Sequence, residues 1–154
     1  MRDGRSSRGD PKAALIAGLA AGTAYVATME FDNRLSGINQ DDLALVGRPL
    51  VEGPDHARTV GLPIHVFNSV SLALVYAALA HDRFPGPPWF RGALFAMLED
   101  TVLYPLALLE RYHPGIRNGE IDRYWNWSAY LLSIPRHVAY GAVLGSLYER
   151  LRVA

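Results

Sequence analysis

Long apolar stretches alternate with shorter polar ones along this chain, and four of the stretches are nearly equal in length. Residues 13–31 are broken only by Gly18, Gly22, Thr23, Thr28 and Glu30. A second run covers 60–80 with Pro63 in its first turn, a third covers 89–109, and a fourth covers 127–148. A soluble helix would carry a polar stripe along one side, which these mostly lack. About 20 residues cross ~30 Å of hydrocarbon at ~1.5 Å per residue. The pattern predicts an all-α integral membrane protein, a single domain built as an antiparallel, up-down four-helix transmembrane bundle.

The polar segments divide the remainder. Residues 1–12 read as a disordered basic tail ending in the helix-opening pair Asp10-Pro11. Glycines four apart, with Tyr25, Glu30 and Asp32 in the same run, fit a retained, packed first helix better than a cleaved signal peptide. In the loop 32–59, the stretch from Asn39 to Val46 has a cap, acids in its first turn and Gly47 as a stop, which predicts a short surface helix.

Charge sets the orientation. The tail, the 81–88 turn and the C-terminus share one side with Arg2, Arg5, Arg8, Lys12, Arg83, Arg91, Arg150 and Arg152. The loops 32–59 and 110–126 hold Arg34, Arg48, Arg58, Arg111, Arg117 and Arg123 among many acids. The basic excess places both termini in the cytoplasm, with the bacterial inner membrane as the expected location. Tyr124, Trp125 and Trp127 mark one boundary, and Trp89 and Phe90 the other.

Composition agrees with a membrane chain: 50% hydrophobic and 19% charged residues. Lys+Arg and Asp+Glu balance at 15 each, so nothing points to nucleic acid. The absence of cysteine excludes disulfides, thiolate metal sites and iron–sulfur clusters. The bilayer is the expected partner, together with a second copy or a larger complex.

Candidate chemistry lies where polar residues interrupt the apolar runs. Glu99 and Asp100 fall midway along the third run, Arg136 and His137 in the fourth, Asn68 in the second and Tyr25 in the first. These groups, with Ser133 one turn before His137, form an expected intramembrane polar layer. Each central carboxylate costs roughly 2.5–3.5 kcal/mol on insertion, whereas each Leu, Phe or Val returns only about 0.3–0.6. The third helix is therefore marginal alone, and Arg136 is the expected partner of the Glu99–Asp100 pair. Glu30, Asp32, His65 and His113 form a second candidate cluster on the loop side. Neither HxxxH nor HExxH spacing is present, and no metal or cofactor is expected. Haem between His65 and His137 is disfavoured because the two are expected at different depths. The acidic stretch 32–42 resembles a calcium loop only superficially, since Arg34 and Leu43 occupy ligand positions.

Gly18-Leu-Ala-Ala-Gly22-Thr-Ala-Tyr25 and Gly141-Ala-Val-Leu-Gly145-Ser-Leu-Tyr148 share one pattern. Small residues four apart let backbones approach in lipid, which predicts contact of the first helix with the fourth, or homodimerisation.

From residue 60 to 150 the chain resembles the small YagU-like bacterial membrane proteins of unknown function. The residues carrying the resemblance are His65-Val-Phe-Asn68, Phe84-Pro85, Arg91-Gly92-Ala-Leu94-Phe-Ala96, Pro105-Leu106 and His137-Val-Ala-Tyr140-Gly141-Ala-Val-Leu144-Gly145. The resemblance implies a multi-span inner-membrane protein and brings no activity. Two functional expectations follow from the residues themselves: a small transporter relaying a proton or polar solute through the buried layer, or a non-catalytic scaffold in which that layer only holds helices together.

Overall fold

A computed structural model describes residues 9–153, which contain helices and no strand. The basic tail through residue 8 lies outside the described residues. Helix α1 spans Pro11–Ser36 and α2 spans Asp42–Gly47. Helix α3 runs over Pro54–Val75 and continues as a π-helical turn, Tyr76–Ala80. Helix α4 runs over Pro88–Leu103 and tightens into a 3-10 segment, Tyr104–Tyr112. A one-turn α5 (Pro114–Arg117) precedes the long α6 (Trp127–Arg152).

Local chemistry sets these limits. The Asp10 carboxylate accepts from the Lys12 and Ala13 amides, so the helix begins at a capped turn at Pro11 rather than at residue 13. Gly37, at φ 70°, closes α1 by donating its amide to the Asn33 carbonyl. Pro105 has no amide to give to the preceding turn, and the helix changes pitch there.

Three helices are long and apolar enough to cross a membrane: Pro11–Ser36, Pro54–Ala80 and Pro88–Tyr112. Helix α6 is as long as α1 but is not among them, so the predicted fourth span is not carried by hydropathy. Arg136, His137 and the tyrosines along α6 lower its apolar character. The first half of α1 packs in a way inverted relative to a soluble helix. The face of α1 buried against its neighbours is Ala13, Ala14, Ala17, Gly18, Ala21 and Gly22, while Leu15, Ile16 and Leu19 point outward. Small residues inside and large ones outside are what lipid favours, because close backbone approach replaces the hydrophobic drive between helices.

Helix α1 packs between α3 and α6, and α4 packs on the other side of α6. The paired glycine motifs serve different contacts from the predicted one. A Cβ on Gly18 would lie 2.8 Å from Ala73 Cβ, and one on Gly22 would lie 2.6 Å from Ser69 Oγ, so this motif seats α3. Gly141 and Gly145 instead face the backbone of α4 at Gly92 and Pro88. The first and fourth runs do meet, but not through these glycines: Ala13, Ala17 and Ala21 share one core cluster with Tyr140, Leu144 and Tyr148. Helices α3 and α4 touch chiefly at the end where the π-turn reaches α4 and Tyr76 packs on Phe95, with ring centroids 5.5 Å apart.

The loop side is closed by a lid. Helix α2 lies against the first turns of α3 with Leu43, Ala44 and Gly47 buried, so it is packed rather than lying on the surface. Arg48 binds Glu120 through Nε at 2.6 Å and Nη2 at 3.1 Å, and the Asn39 amide donates to Asp122 at 2.7 Å. The hydrogen bonds from Arg48 hold the Glu120 carboxyl below the usual carboxylate range.

Candidate functional site

Arg136 is only 2% exposed and uses all five of its N–H donors. Nε and Nη2 donate to the two oxygens of Asp32 at 2.7 and 2.6 Å. Nη1 donates to the Gln40 carbonyl and to Asp42 Oδ2, both at 2.9 Å. The remaining proton of Nη2 goes to Asn33 Oδ1 at 2.9 Å. A guanidinium has no sixth donor. Arg136 is therefore not the partner of Glu99 and Asp100, as the position of those residues in the chain had suggested. It joins α6 to the end of α1 and to the lid, because its long side chain reaches toward the loops, where carboxylates from 32–42 fold inward.

Asp42 is the second anchor. Besides Arg136 it accepts the hydroxyls of Tyr25 and Tyr124, each at 2.8 Å. Burial first, then the adjacent Asp42 charge, pushes the Tyr124 hydroxyl well above its ordinary range, so it serves as a hydrogen-bond donor.

Glu99 and Asp100 face His137 instead. Ser133 Oγ donates to Asp100 Oδ2 at 2.7 Å. His137 Nδ1 lies 2.9 Å from the Ser133 carbonyl, an acceptor only, so this nitrogen carries a proton. That leaves Nε2 directed toward Glu99 Oε2 at 3.6 Å, just beyond hydrogen-bond length. The Tyr25 ring stands between two imidazoles, with centroids 5.3 Å from His65 and 5.2 Å from His137. The two histidines thus flank one tyrosine and line one cavity; α3 starts at Pro54, which sets His65 further along its helix than a start at residue 60 would.

The four other groups are dispersed. His65 Nε2 lies 3.3 Å from the Gly22 carbonyl. Glu30 pairs with Arg58 on the surface of α3. His113 Nε2 donates to the Leu45 carbonyl at 2.8 Å, pinning α5 to the lid. Asp32 belongs to Arg136. The loop-side cluster of Glu30, Asp32, His65 and His113 is thus not assembled, and no group of three metal-ligating side chains converges among the described residues. Asn68 is exposed and makes no hydrogen bond to any described residue.

Two cavities adjoin these groups. One, of about 350 Å³, opens among α4, α6 and the lid and is lined by Asp100, Tyr104, Tyr124, Ser133 and Arg136. The other, of about 400 Å³, is lined by Ile64, His65, Asn68, Ser69 and Tyr140. Tyr25, Asp42, Glu99 and His137 line both, forming the wall between them.

Asp42, Gln40, Asn33 and Tyr124 escaped the reading of the sequence. The one available signal was the double acid Asp41-Asp42: Asp41 caps α2 by accepting the Ala44 amide, which leaves Asp42 without a capping role. A further buried group lies at the other end. His81 is wholly buried, with Nδ1 2.8 Å from Tyr76 Oη and Nε2 2.7 Å from Glu149 Oε2. The π-turn brings Tyr76 and His81, five apart, onto one face, a spacing that no α-helical periodicity reveals.

The model of a family of unknown function (DUF6789) matches residues 9–154, and the chain belongs to that family. The match covers nearly the whole chain rather than residues 60–150 and does not name YagU-like proteins. No curated protein and no solved structure matches.

Proposed function

We propose that this protein is a small membrane carrier of protons or cations whose exchanging group is the Glu99–His137 pair. Helix α6 completes the membrane domain as a fourth crossing, with both termini on the cytoplasmic side of a bacterial inner membrane. One observation carries the reading: Glu99 and His137 line two cavities at once, so a proton on either can be reached from both.

Charge supports it. Asp32, Asp42, Glu99 and Asp100 face one guanidinium and one imidazole. With all four carboxylates ionised, the group carries three excess negative charges while His137 is neutral and two once it is protonated. Each buried carboxylate at the centre of a membrane costs roughly 2.5–3.5 kcal/mol, so a bound proton or cation stabilises the arrangement. The Nδ1–H bond to Ser133 holds the ring with Nε2 toward Glu99, the geometry of a two-site relay. The scaffold reading applies to a different part of the cluster, since Arg136 has no donor left for a ligand.

Reconstitution in liposomes carrying a pH-sensitive dye tests the proposal. Wild-type protein is expected to dissipate an imposed pH gradient faster than protein-free vesicles, and Glu99→Gln is expected to return the rate to their baseline. Flux that persists unchanged in Glu99→Gln removes the pair from the mechanism.

A further inference from the structure

The second cavity is open sideways. Helices α3 and α4 meet chiefly at the π-turn, and beyond it the space between them is lined on the α3 side by Ile64, Phe67, Asn68 and Leu72. Phe67 is 74% exposed, which sets the mouth of this space on the face turned to lipid. Behind it the lining becomes polar, ending at Glu99 and His137.

Two observations, independent of each other, ask for a ligand here. Asn68 holds an amide in the middle of a membrane-crossing helix with no hydrogen-bond partner among the described residues. A polar group left unpaired in hydrocarbon is costly, and an amide can both donate to and accept from a guest. The inner wall, meanwhile, carries the Asp42 and Glu99 carboxylates and no guanidinium, and Arg136 behind it is saturated by protein groups. An anionic head finds no free guanidinium there, and a neutral head leaves the charge uncompensated.

We infer that the gap between α3 and α4 is a side entrance from the bilayer, and that it admits an amphiphile with an apolar tail and a protonated amine head. The head reaches Glu99 and Asn68 while the tail remains against Phe67, Ile64 and Leu72. A cavity of about 400 Å³ lies within the ~300–1,000 Å³ typical of small-molecule sites. The inference rests on Glu99 being the exchanging group of the proposed function, and names the chemical class exchanged with its proton.

Photolabelling of the full chain in lipid nanodiscs tests it. The probe is a long-chain primary amine bearing a diazirine, and an uncharged alcohol of equal chain length serves as comparison. The amine is expected to label the 64–72 segment of α3 saturably and to be displaced by unlabelled long-chain amine, while the alcohol labels all lipid-facing surfaces without saturation. Glu99→Gln is expected to raise the amine concentration for half-labelling by about tenfold or more, the worth of one charge-assisted hydrogen bond. Asn68→Leu should weaken labelling as well, and it places an apolar side chain where an amide faces lipid, so folding is preserved. Diffuse, non-saturating amine labelling, or equal labelling in both variants, overturns the entrance. Amine-free proton flux that depends on Glu99 would then leave the proposed function standing. Saturable labelling without such flux would instead remove that function and keep the binding site.

Discussion

Arg136→Met is the perturbation whose cost the structure defines most closely. The substitution removes five hydrogen bonds, but the receiving groups do not suffer equally. Asp32 is 7% exposed, and both of its oxygens depend on Arg136, with no other partner among the described residues. Asp42 keeps the two tyrosine hydroxyls. Breaking a buried pair by removing one member costs about 3–5 kcal/mol, chiefly through the charge left behind. At roughly 2–4 °C per kcal/mol for a chain of this size, thermal unfolding in detergent should fall by about 6–20 °C. The distinguishing measurement is the double variant. Asp32→Asn with Arg136→Met should recover about 2 kcal/mol of the loss, as expected for residues in direct contact. Asp42→Asn with Arg136→Met should recover less. A single variant within about 1 kcal/mol of wild type, or an Asp32→Asn effect that merely adds to that of Arg136→Met, would refute the clamp.

Other expectations follow from the same geometry. Burial holds His81 below the ordinary histidine value of about 6.5, against the opposing hydrogen bond that its Nε2 donates to Glu149. The unfolded chain therefore takes up a proton that the folded chain resists. Stability from this residue is complete above pH ~6.5 and is lost as pH falls toward the lower folded value. Unfolding measured across that window should show a pH dependence that His81→Gln reduces; an unchanged dependence in His81→Gln would refute it. Gly92→Leu should separate α4 from α6 and cost up to about 3 kcal/mol, because the obstructing atoms are the Gly141 backbone and cannot rotate away. Thermal unfolding reads this directly, and an unshifted midpoint would deny the close approach.

The four long helices, and the apolar character of three of them, were legible because they depend on local properties: the length of apolar runs, Asp10-Pro11 at one helix start, and prolines at others. The partners within the polar layer were not. Depth counted along isolated helices placed Glu99 opposite Arg136, but an arginine side chain spans more than a helical turn, and Arg136 reaches toward the loop side. There the chain from Asp32 to Asp42 folds inward and supplies two carboxylates that, on paper, belong to a polar loop. The glycine motifs failed for a related reason. A small-residue pattern states that a backbone comes close, but it carries no label for which one, so Gly18 and Gly22 met α3 while Gly141 and Gly145 met α4. His81 was hidden by its pitch, since i and i+5 share a face only where the helix widens. These three misses have one physical source. Residues that insert cheaply alone are recognised from their own segment, whereas a charge or a glycine is tolerable only because of what another segment brings to it. The end of α1 and the lid therefore act together on α6: without Asp32 from the one and Asp42 from the other, Arg136 would be a buried cation with no ionic partner among the described residues.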